Sequence, residues 1–508
     1  MTELTDFIKC QRGLLIAPAG HGKTTAIADC LLLCPEKSCQ LILTHTHAGI
    51  ASLRTKFQKK LIPSSRYCLE TITGFAQRYV LGFLGSSVLP EETDKSYFSV
   101  TIEKCRVLLQ SNLVQSIIKS SYDGVFVDEY QDCTLDQHEM VMALAQSLPL
   151  RLLGDPLQGI FSFDSKPLVD FDRDLSIFER FDILNYPWRW QNSNPKLGQE
   201  MLRLRLCLET NAPVNLQNKS DIGFYVVSLS ENDQDSLRIL TNQLRSHDTE
   251  SLLVICPSYK EPNKIGRVVF KGNLDDRIKI KQRVDLGNRY VIIDALDSDE
   301  DYSCARKIDT FVEQCSTKRR IKKVSRFYDL LCTLHLKMSE IKKWIDKKGN
   351  RLIAKQKEKA TLSKALSEKF SIFESRPTLE GLHDLINLVV SLPAVKYYHS
   401  DLYSLINRCF QVAQANDISM LEAMKLIKGR IRHQGRKIQG RVIGTTLLTK
   451  GLEFDTVVVW NAHKFEDAKN FYVAISRACK KLILLTNNDV LQFGEHYTIE
   501  SELSMIKQ

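Results

Sequence analysis

The chain has 508 residues, 43% of them hydrophobic and 26% charged, with a formal net charge of +10. That length points to about three domains, and that apolar share to ordinary buried cores in a globular protein. The start, Met1-Thr-Glu-Leu-Thr-Asp6, is acidic, and no apolar run approaches the ~18 residues of a spanning helix. The expectation is therefore a cytoplasmic protein without signal peptide, membrane span or membrane partner. The positive balance admits a polyanion partner without proving one. Fourteen cysteines are scattered with no Cys-x-x-Cys pair, so Cys30, Cys34 and Cys39 read as buried thiols rather than as metal ligands.

The first informative stretch is Ala17-Pro-Ala-Gly-His-Gly-Lys-Thr-Thr25, between the apolar Leu14-Leu-Ile16 and a helical pattern through Leu33. Gly20 and Gly22 let the backbone turn tightly enough for successive N–H groups to face one anion, and the helix adds its positive end. Gly20, His21, Gly22, Lys23, Thr24 and Thr25 thus form a candidate phosphate cradle. Lys23 supplies the charge for β- and γ-phosphates, and the Thr24 hydroxyl suits Mg²⁺. Ala17 stands where the usual pattern has its first glycine.

Leu41 to His47 reads as an apolar strand with a polar end, where an α/β sheet presents ligand-facing groups. His45 and His47, lacking a third ligand, read as hydrogen-bonding residues. Thr71-Ile-Thr-Gly-Phe-Ala76 reads as a small-residue turn, and its Phe75 is either core or a stacking surface. Residues 80–122 are helical in pattern. Gly124-Val-Phe-Val then runs straight into Asp128-Glu-Tyr-Gln-Asp132. A buried strand ending in carboxylates needs a positive partner: Asp128 suits Mg²⁺ held through water, and Glu129 suits polarising an attacking water.

Leu150-Arg-Leu-Leu-Gly-Asp155 repeats that design, and Gln158 is a neutral group able to sense a phosphate. Phe161 and Phe163 alternate, as half of a packed strand or as π-faces for bases. Tyr186-Pro-Trp-Arg-Trp190 sets Arg189 between two indoles. Strands at Phe224–Leu229 and Leu252–Cys256 open a second α/β unit. The acidic run from Asp297 to Asp301 reads as a solvated loop. Residues 307–369, including Lys318-Arg-Arg-Ile-Lys-Lys323 and Lys342-Lys-Trp-Ile-Asp-Lys-Lys348, read as lysine-rich helices, more a solvated face than a backbone-binding surface. The second unit resumes with a strand at Arg441–Thr446, a polar turn at Lys450–Asp455 and a strand at Thr456–Trp460. A helix from Asn470 to Arg477 and a last strand, Leu482–Thr486, complete it. An arginine at 477 can reach a phosphate held by the first unit.

The ordered set GHGKT, DEYQD, GDPLQ, an arginine after an aromatic, KGLEF and YVAISRA resembles the UvrD/Rep-like branch of superfamily 1 DNA helicases. The resemblance implies an α/β fold of two RecA-like parallel-sheet motor domains, with ATP and Mg²⁺ in the cleft between them. It further implies single-stranded or partly duplex DNA across their top, moved in the 3′-to-5′ direction. Domain one would span 1–200 with a short helical insert near 80–122. Domain two would span 201–260 and 436–508, with 261–435 an inserted basic, largely helical subdomain. By position, Glu129, Gln158, Arg189 and Arg477 would be catalytic, Thr24 and Asp128 would hold the metal, and Glu453 the nucleotide's sugar. Thr44, His45, Thr71, Phe75, Phe161 and Phe163 fall where the family touches DNA.

Leu447, Asp164 and Pro187 depart from the family's usual histidine, arginine and asparagine, which concerns DNA coupling more than hydrolysis. No adenine-reading glutamine precedes the turn, because Gln11 sits too close to the strand. The trimmed inserts resemble the helicase-like component of Gabija-type antiphage systems, which works beside an ATPase-nuclease protein. Three functions fit: a DNA translocase or helicase, a DNA-sensing ATPase that switches a partner, and, less well, an RNA helicase.

Overall fold

A computed structural model describes residues 2–91, 94, 96–160, 167–257, 259–262, 268–271, 274–284, 289–293, 299–317, 322–354, 359–434 and 440–493. The first sheet contains β1 (Arg12–Ile16), β2 (Gln40–Thr44), β3 (Tyr67–Thr71), β4 (Gly124–Val127), β5 (Leu150–Gly154) and β6 (Glu179–Phe181). These strands pair in parallel in the order β3-β2-β4-β5-β1-β6. Strands β2, β4 and β5 are buried along their whole length, as expected of a parallel sheet covered on both faces. One face packs around Leu14, Leu43, Val125 and Leu152, the other around Leu15, Ile42, Phe126 and Leu153. Even Arg151 lies inside, its guanidinium 5.2 Å from the centre of the Phe126 ring.

The second sheet contains β7 (Phe224–Ser228), β8 (Leu252–Cys256), β9 (Tyr290–Ile292), β10 (Arg441–Thr445), β11 (Phe454–Val459) and β12 (Ala478–Thr486). It is also parallel, in the order β9-β10-β8-β11-β12-β7. Two parallel six-stranded sheets with helical crossovers are the α/β architecture of paired RecA-like domains. Each sheet offers one carboxyl edge, where ligands of such folds bind.

Two domain boundaries differ from expectation. Residue 200 falls inside the helix Pro195–Glu209, whose Leu197, Met201 and Leu204 share a core with Phe224, Leu253 and Leu482 of the second sheet. Trp190 belongs to that core too, so the change of lobe precedes it. The insert also starts later than residue 261. The helix Leu274–Val284 and β9 contribute Ile280, Val284, Tyr290 and Ile292 to the second sheet's other core. The inserted subdomain is the helical stretch from Asp299 to Gln434, which has a core of its own including Phe311, Phe327, Phe373 and Phe410.

Three local readings are corrected. Thr71-Ile-Thr-Gly-Phe-Ala76 is the end of β3 running into the helix Ile72–Leu84, with Thr71 Oγ1 accepting from Gly74 N at 2.9 Å as its N-cap. Lys342–Lys348 is not helical throughout, because Ile345–Asp346 pairs with Arg351–Leu352 as a small hairpin that buries Trp344. Asp301, expected in a solvated loop, is buried on the helix Asp299–Ser316 and forms an ion pair with the equally buried Lys428. Residues 294–298 and 318–321 lie outside the described residues.

Candidate functional site

Sheet order explains which loops meet. The turns after β1, β4 and β5 are neighbours on one carboxyl edge, and they carry the glycine turn, Asp128-Glu129 and Asp155-Gln158. In the glycine turn Gly20 and Gly22 adopt φ of 75° and 90°, a conformation that side chains disfavour. Space excludes one as well, because a Cβ on Gly20 would sit 2.8 Å from both Arg189 Cβ and the Trp190 ring. Lys23 opens the helix Lys23–Leu33, and its Nζ donates to Ala17 O at 2.6 Å and Pro18 O at 3.1 Å. Burial pulls its ammonium below the usual range, against the charges of Asp155, Glu129 and Asp128. Thr24 and Asp128 line the same pocket of about 80 Å³ as Thr44, His45, Glu129, Asp132 and Lys450. One hydroxyl and one carboxylate are the oxygen donors Mg²⁺ takes while keeping several waters.

Glu129 adopts φ 58°, rare outside glycine and characteristic of strained functional positions. Burial pushes its carboxyl up, but the charges of Lys450 and Lys23 and a hydrogen bond from Gln131 outweigh this and leave it below the carboxylate range. Asp128 shifts the other way, raised by burial and by the adjacent Glu129 charge. Two neighbouring carboxyls driven apart in acidity divide the roles, with Glu129 the ionised member suited to polarise water. Gln158 donates through Nε2 to Asp155 Oδ2 at 2.7 Å. Its Oε1 accepts from Arg477 Nη2 at 3.1 Å, across the cleft.

The second lobe delivers three cations. Arg477 is 2% exposed, and its remaining hydrogen bonds go to Val473 O, Leu452 O and Ser476 Oγ rather than to a carboxylate. Burial, then the Arg189 charge, lowers it to about 10. Arg189 donates to Glu453 Oε1 at 2.8 Å and to Ser476 O, while its Nε is buried with no partner among the described residues. That orphaned donor beside the glycine turn fits an anion. Lys450 pairs with the buried Asp132 and donates to Gln158 O.

The structure brings Lys23, Thr24, Asp128, Glu129, Gln158, Arg189, Glu453 and Arg477 to one cleft. The DNA-facing expectations divide. Thr44 and His45 lie at the end of β2 in the same pocket, although Thr44 is 1% exposed and His45 Nε2 lies 3.3 Å from Cys133 Sγ. Burial pushes His45 down to about 3, with Lys450 opposing protonation further, so it is neutral. Phe75 is corrected: it is fully buried in the first lobe's core, 4.6 Å from the Tyr79 ring, and offers no face to a base. Thr71 is engaged as a helix cap. Phe161, Phe163 and Asp164 lie outside the described residues.

Sequence reasoning misses Gln131, Asp132, Arg205, Lys450 and Tyr472, whose roles come from tertiary contacts 24 to 318 residues apart. It also underrates Trp188, 56% exposed over Gly22 and paired edge-on with Tyr186 at 4.8 Å. Only a ring count beside Arg189 hints at that pair.

Residues 89–168 match the model of the UvrD/REP helicase N-terminal domain. An ATP-dependent helicase/nuclease protein of Alkaliphilus metalliredigens (strain QYMF) is 27% identical over 104 residues, 20% of this chain and 8% of that relative. The match therefore spans a small part of the relative's length. The complex structure of Arterivirus nonstructural protein 10 (helicase) with DNA aligns at 12% identity over 50% of this chain and 49% of that one. Its TM-score is 0.26, too low to bear on the fold. The family match falls on the segment holding β4, β5 and their carboxylate turns, so the likeness to the UvrD/REP helicase N-terminal domain rests on the part of the first lobe that carries those carboxylates.

Proposed function

We propose that the chain is an ATP-driven motor on single-stranded DNA, moving 3′-to-5′ with Mg²⁺ as its metal. The observation that carries this reading is the meeting of Lys23, Glu129 and Gln158 from one lobe with Arg189 and Arg477 from the other. Lys23 and the turn's N–H groups would hold the phosphates, and Thr24 and Asp128 the metal. Held there, Mg²⁺ would supply neutralising charge to the transferring phosphates. Glu129 orients and deprotonates the attacking water, Gln158 reports the γ-phosphate, and the two guanidinium groups steady the charge that develops during transfer. Glu453, half-exposed and tied to Arg189, would meet the nucleotide's sugar in this reading, and the Trp188 ring would lie against its base.

Thr44 and His45 end a strand next to β4, so a DNA strand crossing there would sense the same edge that holds Asp128 and Glu129. Thr71, capping the neighbouring helix, would fix that helix's N-terminus toward a phosphate. Phe161 and Phe163 supply the stacking faces of this reading. The relative's name joins a helicase to a nuclease, which, with the Gabija-type likeness, favours a nuclease-bearing partner in antiphage defence.

The test is ATP turnover with and without single-stranded DNA, beside displacement of a labelled strand from a 3′-tailed duplex. Stimulated turnover with displacement supports the motor. Stimulated turnover without displacement favours a DNA-sensing ATPase that switches its partner, and no stimulation removes both.

A further inference from the structure

We propose that Arg205 is a positioning residue that holds the phosphate-sensing groups of the two lobes in register. It projects from the helix Pro195–Glu209 and is 7% exposed. Its Nη1 donates to Asp155 Oδ2 at 2.8 Å and to the Tyr472 hydroxyl at 3.0 Å, and its Nη2 pairs with Glu209 at 2.7 Å. The guanidinium also lies 5.1 Å from the centre of the Tyr472 ring, which fixes its plane. None of these atoms belongs to a group assigned to phosphate, metal or water above.

Their second partners are such groups. Tyr472 Oη accepts from Ala19 N at 3.2 Å, inside the glycine turn. Asp155, with no exposed surface, accepts from Leu157 N at 3.2 Å and from Gln158 Nε2 at 2.7 Å. An amide carries its donor and acceptor on opposite sides, so anchoring Gln158 Nε2 on Asp155 turns Oε1 toward Arg477. Arg205 therefore orients Gln158 through Asp155, and through Tyr472 the helix Ala468–Ile475 that leads into the turn carrying Arg477. Burial raises the Asp155 carboxyl, but the charges of Arg205 and Lys23 outweigh it and keep Asp155 an acceptor only. A lysine at 205 would keep the charge, yet a single ammonium on a flexible stem does not reproduce a fork shared among Asp155, Tyr472 and Glu209.

The inference rests on the ATPase reading of this cleft. Its test is a double-mutant cycle on the full chain, measuring kcat, KM for ATP and melting temperature for Arg205→Lys, Gln158→Ala and the double variant. The expectation for Arg205→Lys is a kcat lowered about tenfold or more, with KM within about threefold of the parent. In the Gln158→Ala background the same change should cost clearly less than in the parent, because the amide it positions is gone and only the Tyr472 branch remains. Equal losses in both backgrounds, or a loss proportionate to the melting temperature, would overturn the role. If Arg205→Lys does not fold, Tyr472→Phe deletes one hydroxyl of the same network: lowered kcat at unchanged KM supports the role, and unchanged kcat refutes it. A parent chain without ATP turnover strikes the ATPase reading itself, and this role with it.

Discussion

Arg477→Met separates a catalytic arginine from a structural one, because the two demand different effects on stability. Burial, followed by the Arg189 charge, lowers the guanidinium to about 10. At ~1.4 kcal/mol per pH unit, keeping it charged in the folded protein costs about 3 kcal/mol. The folded value lies below the unfolded one, so this penalty is fully present below about pH 10 and fades only at higher pH. It is constant across any working pH. Against it stand hydrogen bonds to Val473 O, Leu452 O, Ser476 Oγ and Gln158 Oε1, each contributing about 1 kcal/mol net. The two sums nearly cancel, and methionine retains much of the buried stem's volume. The melting temperature should therefore stay within about 5 °C of the parent. Turnover stimulated by single-stranded DNA should fall about a thousandfold or more, since a guanidinium that meets the transferring phosphoryl group is lost. Steady-state ATPase assays, a fluorescent-nucleotide titration and a thermal melt together decide. A melting temperature lowered by about 10 °C or more with proportionate loss of activity, or full turnover in Arg477→Lys, would refute the reasoning.

Other substitutions test the remaining parts of the cleft. Lys23→Ala should abolish turnover and weaken nucleotide binding, whereas Glu129→Gln should abolish turnover with ATP still bound, as read in the same titration; near-normal turnover in Glu129→Gln would remove it from the base role. Lys450→Met deletes the largest charge holding Glu129 below its usual range. A depressed carboxyl loses its ionised form as pH falls through the folded value, so raising that value should move the acid limb of the pH–rate profile to higher pH. An unshifted limb would show that Lys450 does not set the acidity of the working carboxylate. Phe161→Ala with Phe163→Ala should lose stimulation by single-stranded DNA while basal turnover survives, and an unfolded double variant would make those rings core.

The strands and the loops behind them are legible because their chemistry is local. Leu41–Leu43 and Gly124–Val127 are uninterrupted apolar runs ending in polar groups, and GHGKT carries its own turn geometry through Gly20 and Gly22. The domain borders are less legible. Pro195–Glu209 follows Arg189 in sequence without a break in composition, and only packing reveals that its apolar face belongs to the second sheet. Phe75 shows a related limit, since a phenylalanine four residues past a strand end is written identically whether it faces DNA or the core. The cross-lobe partners are the least legible of all. Arg205 sits in Leu202-Arg-Leu-Arg205, an ordinary alternation on a helix, and its significance depends on Asp155 and Tyr472, 50 and 267 residues away.

That same packing determines what moves with what. Trp190 Nε1 donates to Ala478 O at 2.7 Å, Ser193 Oγ to Cys479 O at 2.9 Å, and Arg189 to Ser476 O, so Arg189 and Arg477 ride on one body. Across the cleft that body meets the first lobe mainly through polar pairs: Arg189 N to Gly20 O, Ala19 N to Tyr472, Arg477 to Gln158, and Lys450 to Asp132. Ala19 and Leu157 are the first-lobe side chains in the second lobe's apolar cluster. A polar pair that opens regains water, so each contributes only about 1 kcal/mol net, while an opened apolar core regains nothing. Opening an interface built this way costs only a few kcal/mol, the range that differential binding of a nucleotide can shift. Because both arginines belong to one body, in the proposed motor they would reach and leave a phosphate together. In the proposed motor, hydrolysis would thereby be tied to lobe closure as a single event rather than to the independent arrival of two side chains.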